Sequence, residues 1–475
     1  MKRIYLLVAL FIIPFSAKAG DFNLDGLNAA AVRAAAVPSV ATPRVSGPKD
    51  WTVMFYSTTK DKLRYTLMWQ LLEMKKTGST DRVNVVVEAS IPVKYADGSV
   101  STSTFRMALG NAGNAAELDK LIENMFNESD GPINAAILAP FAPDMVKTEN
   151  NVDSGDWRRV ADFTKWAKAN YPAKRYVFAI YGHGNGIFDQ KKGPQKGTLI
   201  DTDTQNYVTL PELRLLMAET GRVDAFVMTS CIMQMAEVAW QIKDYTDVVV
   251  GSSELMSAVG YDLKGMLDTL NAEPAISSER LGATLADGYI ARIKAFKIPG
   301  GHASVILTSK FPAFAGKLNA WVDAELAIKD QAAVTAAGKQ VARFDIFGIT
   351  TATTAVIART FSISGDLYDF VDIMNAGQSQ NTPEQALARQ TGRALMDFIS
   401  GELIYKYSYT GVSNTGFDYG RAHGLAIHIP PIRVAAASGL FSDFEKNMET
   451  IYWDLPFARE TRWGEFLSWI YNRKP

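Results

Sequence analysis

One cysteine and one histidine each follow an apolar segment, and together they suggest nucleophilic catalysis. The run RYVFAIYG leads to His183, and the run VDAFVMTS leads to Cys231, the only cysteine of the chain. A thiolate attacks carbonyl carbon atoms, and a nearby imidazole supplies the proton that the leaving amine needs. The pair therefore predicts acyl transfer at Cys231 with His183 as acid/base partner. The alternative interpretation of Cys231 is an apolar filler, since free cysteine is among the most buried residue types.

The histidine lies within the glycine-rich sequence GHGNG, residues 182–186. Gly184 has no side chain to block an approaching peptide, and its N–H and that of Cys231 are candidates to hold the oxyanion that forms during attack. A dinucleotide-binding loop is excluded because no amphipathic helix follows the glycines. No metal site is predicted, because none of the four histidines has a ligand-like spacing to Cys231. A glycine-rich turn around a structural histidine remains open on these residues alone.

Alternating strand-like and helix-like segments must position these residues. Predicted strands are WTVMFYS, RVNVVVEAS, NAAILAP, RYVFAIYG, VDAFVMTS and DVVVGSSEL, and predicted helices include LRYTLMWQLLEMKK, WRRVADFTKWAKANY and TLPELRLLMAET. This order predicts an α/β fold with a mainly parallel sheet. In such folds, ligands bind beyond the carboxyl ends of strands, where both residues lie. A helix is predicted in MAEVAWQIKD, just after Cys231, where its dipole would favour the thiolate.

Composition and charge exclude several classes of protein. The chain is 47% hydrophobic and carries 49 basic against 50 acidic side chains, so it is able to bury a large core and is not a disordered tail protein. A net charge of -1 provides no basic stripe, which argues against nucleic acid as the main partner. With one cysteine, no intramolecular disulfide can form.

The N-terminus has the pattern of a secretory signal peptide, residues 1–19. A short basic start precedes the apolar residues 4–15, and the sequence AKA provides a cleavage site after Ala19. The apolar run is too short to span a bilayer, so no membrane span is expected once the signal is removed. The mature protein is therefore expected to be periplasmic or secreted.

The rest of the chain divides into three predicted parts. Residues 20–48 are rich in Ala, Val and Pro and are interpreted as a linker or pro-segment. Residues 49–309 form the predicted catalytic domain. Residues 310–475 have mostly helical patterns and are predicted to form a C-terminal subdomain that packs on the catalytic domain.

Several motifs, taken in their order and spacing, resemble the clostripain family of cysteine peptidases, whose fold is related to caspases, gingipains and legumains. They are WTVMFY, EMKKTGST with VNVVVE, YPAKRYVFAIYGHGNG, DTDTQNYVTLPEL, VDAFVMTSCIMQMAEVAWQI, GSSELMSAVGYD, DLYDFVDIMN, AHGLAIHIPP and RWGEFLSWIY. The resemblance runs from about residue 50 to the end. It implies a caspase-like fold, with a mainly parallel sheet sandwiched by helices. It also implies a cysteine endopeptidase with a His183–Cys231 dyad, an acyl-enzyme intermediate and peptide or protein substrates.

The substrate pocket differs from what the resemblance implies. Clostripain-like enzymes cut after Arg or Lys, and the family usually has Asp-Ala before the nucleophile, whereas this chain has Thr229 and Ser230. Residues 256–259 replace further acids of the family loop. A cationic side chain without a counter-charge loses desolvation energy, which argues against an Arg or Lys preference. Glu254 and Asp262 are the remaining nearby acids that would restore it, although Glu254 also fits a cap or a salt-bridge partner. The pocket candidates are Thr229, Ser230, Ser253, Glu254 and Asp262.

Two further segments carry open interpretations. The polar loop with Lys191, Lys192 and Lys196 is a candidate processing site, since mobile loops are nicked easily and family relatives often self-cleave there. The segment DTDTQN, residues 201–206, alternates oxygen ligands as calcium loops do, but it lacks their glycine and distal glutamate. The family has a calcium requirement, so the segment is either a calcium site or a turn that caps the next helix. The predicted chemistry itself requires no cofactor.

Other classes of function remain open on the sequence. A caspase-like protein with an inert Cys231 would act only by binding, and a transpeptidase or amidase would use the same dyad. The retained cysteine and histidine favour chemistry, whereas the altered pocket indicates only different substrates. Reaction of Cys231 with a thiol-directed probe separates an enzyme from an inert relative.

Overall fold

The structure is a computed structural model that describes a set of ranges within the chain. These ranges are 47–127, 131–187, 197–344, 362–378, 382–412, 417–429 and 452–471. The predicted signal peptide and the candidate processing lysines Lys191, Lys192 and Lys196 lie outside the described residues, as does nearly all of the predicted linker. Within the described ranges, no helix is both long and apolar enough to cross a membrane.

A ten-stranded sheet, built from the apolar runs of the sequence, forms the centre of the described fold. Its strands are β1 (Lys49–Ser57), β2 (Val83–Lys94), β3 (Val100–Ala108), β4 (Ile133–Asn134), β5 (Met145–Asn150), β6 (Ala173–Tyr181), β7 (Val223–Thr229), β8 (Thr246–Gly251), β9 (Gly300–Leu307) and, much later in the chain, β11 (Ile404–Gly411). Two short strands, β10 (Ser364–Asp366) and β12 (Ala426–His428), form a separate antiparallel pair.

The strand order is β11-β9-β8-β7-β6-β1-β2-β3-β5, with β4 beside β2. The central pairs β2–β1, β1–β6, β6–β7 and β7–β8 are parallel, and the outer pairs are antiparallel. Parallel strands need crossover connections, which are usually helices. The carboxyl ends of the central strands therefore lie at one edge of the sheet, where ligand sites of α/β folds form.

Helices cover both faces of the sheet. They are α1 (Arg64–Thr77), α2 (Ala115–Asn127), α3 (Trp157–Asn170), α4 (Leu210–Thr220), α5 (Ala236–Ile242), α6 (Leu263–Ala272), α7 (Ser278–Ala295), α8 (Phe311–Ile328), α9 (Gln331–Gln340), α10 (Leu367–Gly377), α11 (Pro383–Phe398), α12 (Pro456–Glu460) and α13 (Trp463–Tyr471). Alternate residues of β1 enter two separate cores: Met54 and Tyr56 pack with α3, α4 and α8, whereas Val53 and Phe55 pack with α1, α6 and α7. This alternation confirms the predicted mainly parallel sheet between helical layers.

One predicted strand is wrong. The run NAAILAP forms a 3-10 helix over Ala135–Asp144, and only Ile133–Asn134 pairs with β2. The Asn134 side chain accepts a hydrogen bond from the Ala136 N–H and so caps this turn. Pro140 and Pro143 lie inside it, and proline has no N–H to donate to a sheet ladder.

Candidate active site

The strands β6 and β7 bring His183 and Cys231 to the same edge of the sheet. In the parallel register, Tyr181 at the end of β6 is paired with Thr229 at the end of β7. The Gly182 N–H continues this pairing and donates to the Thr229 carbonyl oxygen at 3.2 Å. His183 lies two residues after Tyr181, and Cys231 lies two residues after Thr229. The predicted juxtaposition at the carboxyl ends of neighbouring strands is therefore present.

Gly184 packs directly against the segment that carries the cysteine. A Cβ atom at Gly184 would lie 2.8 Å from the carbonyl oxygen of Cys231, 2.8 Å from Cγ of Met233 and 2.9 Å from Cβ of Ser230. Such distances are far below van der Waals contact, so only glycine fits without displacing the backbone of Cys231. The glycine after the histidine thus allows the two strand ends to approach each other closely.

The Cys231 thiol lies against the backbone of Met256. The Met256 N–H donates to Sγ of Cys231 at 3.2 Å, and the residue is half-buried. Burial raises the pKa of the thiol to about 11; the Met256 N–H opposes this rise, and the negative charge of Glu254 adds to it. In this arrangement the thiol is protonated at neutral pH.

The expected help from a helix dipole is wrong. Helix α5 begins at Ala236, within the predicted segment MAEVAWQIKD, but this start is five residues after Cys231. The residues in between run beside the segment after β8: the Ile232 N–H donates to the Glu254 carbonyl at 3.1 Å, and the Gln234 N–H donates to the Ser252 carbonyl at 3.1 Å. Dipole effects fall off within the first turn of a helix, so α5 does not lower the pKa of the thiol.

The imidazole of His183 contacts a carboxylate that the sequence analysis missed. Nε2 of His183 lies 2.5 Å from Oδ2 of Asp61, and both side chains are partly exposed. Burial by itself raises the pKa of Asp61, but the hydrogen bond and charge of His183, the Leu63 N–H and Arg64 bring it below its ordinary value. An ionised carboxylate only accepts hydrogen bonds, so Nε2 carries a proton and Nδ1 is the ring nitrogen able to take one up.

The strand order explains why Asp61 lies beside His183. Strand β1 pairs with β6 in parallel, and Ser57 at its end is paired with Tyr181. The residues that follow β1 therefore lie at the same edge as His183. The sequence pattern does not show which strands pair. It therefore does not predict a contact between Asp61 and His183, which are 122 positions apart.

The pocket candidates divide into neutral groups and acids that already have partners. Thr229 and Ser230 are buried, and their hydroxyl oxygens have no hydrogen-bond partner among the described residues. The Ser253 hydroxyl donates to the Gln234 carbonyl at 3.0 Å. Glu254 is buried, and its Oε1 accepts the Leu255 N–H at 2.6 Å. Asp262 caps α6 by accepting the Gly265 N–H at 3.1 Å.

Side chains of α1, α7 and β6 fix the loop of residues 255–262, here called the pocket loop. Gln70 Nε2 and Arg292 Nη1 both donate to the carbonyl oxygens of Val259 and Tyr261, at 2.7–3.0 Å. Arg292 also pairs with Asp262 at 3.1 Å, and its side chain is 12% exposed. Tyr289 accepts the N–H of Ser257 and Tyr181 donates to the carbonyl of Ala258, both at 3.0 Å. The pocket loop, in which Met256 contacts Cys231, is therefore anchored by a buried guanidinium.

The candidate calcium segment holds an ammonium group. Lys60 Nζ lies 2.6 Å from Oδ2 of Asp201, 3.5 Å from Oδ2 of Asp203 and 3.0 Å from the Val152 carbonyl. Ser154 donates to the same Asp201 oxygen through its N–H and its hydroxyl. This arrangement does not fit a calcium ion, because the ammonium of Lys60 already neutralises the buried Asp201 carboxylate. Among the described residues, no group of three His, Cys, Asp or Glu side chains is arranged for a metal ion.

The interpretation of residues 201–206 as a helix cap is also modified. Helix α4 is capped by Thr209, whose hydroxyl accepts the Glu212 N–H while the Glu212 carboxylate accepts the Thr209 N–H. This reciprocal pair is a capping box. The segment instead folds around Asp201, whose Oδ1 accepts the N–H groups of Asp203 and Thr204.

Removing the lysine charge is expected to destabilise the protein strongly. In Lys60→Met, Asp201 remains buried without its counter-charge, so the free energy of unfolding falls by about 3–5 kcal/mol. Urea unfolding followed by tryptophan fluorescence measures the loss. The control is Lys62→Met, the same change at an exposed position two residues away, with an expected effect within about 0.5 kcal/mol. Equal effects of the two substitutions would refute the structural role of the ion pair.

The chain is similar to known proteins in sequence and in fold. The model of the Clostripain family matches residues 139–469, which include both strand ends and the pocket loop. Clostripain of Hathewaya histolytica is 25% identical over 241 residues, or 48% of this chain. That match spans 43% of clostripain, less than half of its length.

Two crystal structures share the fold at low sequence identity. One is a secreted C11 cysteine protease from Bacteroides thetaiotaomicron in complex with an irreversible peptide inhibitor (TM-score 0.53, 15% identity, 85% of this chain and 99% of that chain). The other is an inactive zymogen C11 protease from Parabacteroides distasonis (TM-score 0.55, 14% identity, 87% and 99%). The shared fold is the caspase-like sheet between helices that the motifs implied. Because the family model matches most of its length, the chain belongs to the clostripain family of cysteine peptidases.

Proposed function

We propose that this chain is a secreted or periplasmic cysteine endopeptidase in which His183 and Cys231 form the catalytic dyad. The observation that carries the proposal is the register of β6 and β7, because the pairing of Tyr181 with Thr229 aligns the two residues at neighbouring strand ends. Family membership supports the reaction class. The predicted signal peptide supports export, as does the description of a structural relative as secreted.

In the proposed reaction, Sγ of Cys231 attacks the carbonyl carbon of a peptide bond while its proton passes to Nδ1 of His183. The N–H groups of Gly184 and Cys231 stabilise the oxyanion. Collapse of this intermediate breaks the C–N bond, and the imidazolium gives its proton to the leaving amine. Water then attacks the thioester with His183 as base, which releases the acid and restores the thiol.

The high pKa of the Cys231 thiol constrains this sequence. With a pKa of about 11, the resting thiol has only a minute thiolate fraction at neutral pH. Proton transfer to His183 must therefore accompany attack or follow a change around the sulfur. The Met256 N–H, 3.2 Å from Sγ, already favours the thiolate, so burial of the sulfur is the effect that such a change has to relieve.

We further propose that the enzyme prefers an uncharged side chain before the cut. Thr229 and Ser230 contribute no charge beside the nucleophile, and Asp262 is paired with Arg292. A buried cation without a counter-charge is costly, so basic residues are disfavoured. Glu254 is the remaining acid, and its carboxylate is already engaged by the Leu255 N–H.

Digestion of an unfolded protein tests both parts of the proposal. The mature chain and its Cys231→Ala variant are incubated with a reduced, alkylated protein, and mass spectrometry identifies the new N-termini. The expected cleavages occur only with the unaltered chain and follow uncharged residues. Cleavage confined to Lys and Arg would overturn the specificity, and equal cleavage by both proteins would overturn the peptidase assignment.

A further inference from the structure

Asp61 lies in the turn between β1 and α1, residues 58–63, and both oxygens of its carboxylate have partners. Oδ2 contacts Nε2 of His183 at 2.5 Å, and Oδ1 accepts the Leu63 N–H at 3.0 Å. The Arg64 N–H donates to the Asp61 carbonyl at 3.1 Å, which closes the turn. A carboxylate with both oxygens engaged is fixed in direction as well as in distance. The contact with His183 is therefore built by the local fold.

We propose that Asp61 is a positioning residue of the reaction, so that the working unit is Cys231, His183 and Asp61. This inference rests on the proposed function of the dyad. By accepting a hydrogen bond from the Nε2–H group, Asp61 selects the tautomer in which Nδ1 is the base. Its negative charge also stabilises the imidazolium that forms when the thiol proton is transferred. Asp61 itself keeps no proton and forms no bond to substrate.

The neighbouring residue anchors this turn to the body of the fold. Lys60 is buried, and its ammonium bonds to Asp201 and to the Val152 carbonyl. Its own N–H donates to the Thr58 carbonyl at 2.9 Å. Because Lys60 is buried and hydrogen-bonded on the inside of the protein, the backbone of the next residue, Asp61, is fixed at the sheet edge. The Lys60–Asp201 pair thus supports the geometry of Asp61.

The charges around Asp61 are consistent with an ionised carboxylate. Arg64 adds positive charge and helps to lower the pKa of Asp61. The phenol of Tyr181 also faces this region. Burial raises its pKa above the ordinary value, so the phenol is uncharged at physiological pH. Asp61 is thus hydrogen-bonded to His183 with the charge of Arg64 nearby, and the phenol beside it stays neutral.

Kinetics of Asp61→Asn test the inference. Asparagine is nearly isosteric but lacks the charge, and we expect kcat to fall about 100-fold with KM changed less than about threefold. The acidic limb of the kcat/KM profile should move to lower pH, because the charge that favours an imidazolium is lost. Asp61→Glu should recover part of the rate. The matched control is Asp162→Asn, which removes an exposed carboxylate from an ion pair with Arg106 and should leave kcat unchanged.

The outcomes separate this inference from the proposed function. If the unaltered chain cleaves through Cys231 and Asp61→Asn keeps its kcat and pH profile, the inference fails and the dyad stands. If Cys231→Ala is as active as the unaltered chain, the proposed function fails first. Should Asp61→Asn not fold, nitrogen-15 shifts of His183 in the unaltered chain decide the question. A proton on Nε2 at high pH supports the inference, and a proton on Nδ1 overturns it.

Discussion

Replacing Cys231 with alanine lowers kcat for peptide hydrolysis by on the order of 10⁵-fold, because no acyl-enzyme forms without the nucleophile. Water has no comparable route to the carbonyl, and the remaining backbone donors supply only a small residual acceleration. Substrate affinity should change little, since the sulfur contacts the reacting carbon rather than the substrate side chains. The expected signature is thus a loss in kcat with KM nearly preserved, measured with an internally quenched peptide.

Two controls separate lost chemistry from lost structure. The Cys231 side chain is half-buried, so its truncation should reduce the free energy of unfolding by about 1 kcal/mol or less, as checked by urea unfolding. Cys231→Ser keeps a nucleophilic atom but not the acidity of a thiol, and it should be inactive as well. Activity of Cys231→Ala above about one per cent would show that another group performs the reaction.

Replacing His183 with alanine has the second largest expected effect, a fall in kcat of about 10³-fold. A general acid/base contributes about 10²–10⁴-fold. The expected loss lies within this range because the pKa of the thiol is about 11, so its proton has to be removed during attack. Addition of imidazole should restore part of the rate in His183→Ala and none in Cys231→Ala. The measurement is the steady-state rate with and without imidazole at fixed pH.

His423→Ala serves as the matched control for this prediction. His423 is also partly exposed, and its ring stacks on Tyr368 rather than on a catalytic group. Its side chain should be dispensable for turnover. A loss in His183→Ala no larger than that in His423→Ala would contradict the assignment of His183.

The sheet edge was predictable because its signals are local. Continuous apolar runs of β6 and β7 indicate buried parallel strands, and each run stops just before a residue capable of chemistry. The glycine after His183 was predicted for access to the carbonyl. The structure adds a steric reason, since a Cβ at Gly184 would lie 2.8 Å from the backbone oxygen of Cys231.

Other parts of the site depend on contacts between distant segments, which one sequence does not display. Asp61 meets His183 only because β1 pairs with β6, and a carboxylate in a turn is otherwise common. Lys60 is likewise an ordinary charged residue in the sequence, yet its ammonium occupies the centre of the segment that resembled a calcium loop. Both residues lie outside the range that the family model matches.

The expected effect of the α5 dipole on Cys231 failed for a related reason. The helix itself lies in MAEVAWQIKD, as predicted, but residues 232–235 separate it from Cys231. In the fold, Ile232 adopts a positive φ of 60° and its N–H bonds to the chain after β8. This pairing with a neighbouring segment keeps Cys231 apart from the helix start, and the Cys231 thiol has a raised rather than a lowered pKa.

Trapping of the acyl-enzyme tests the central claim most directly. The chain is mixed with an activated ester of an uncharged N-acylated amino acid, quenched in acid within milliseconds, and digested for mass spectrometry. The account predicts one thioester adduct, on the peptide that contains Cys231, which is absent in Cys231→Ala and is lost on incubation at neutral pH. Turnover of the ester with no adduct at Cys231, or with the adduct on another residue, would contradict it.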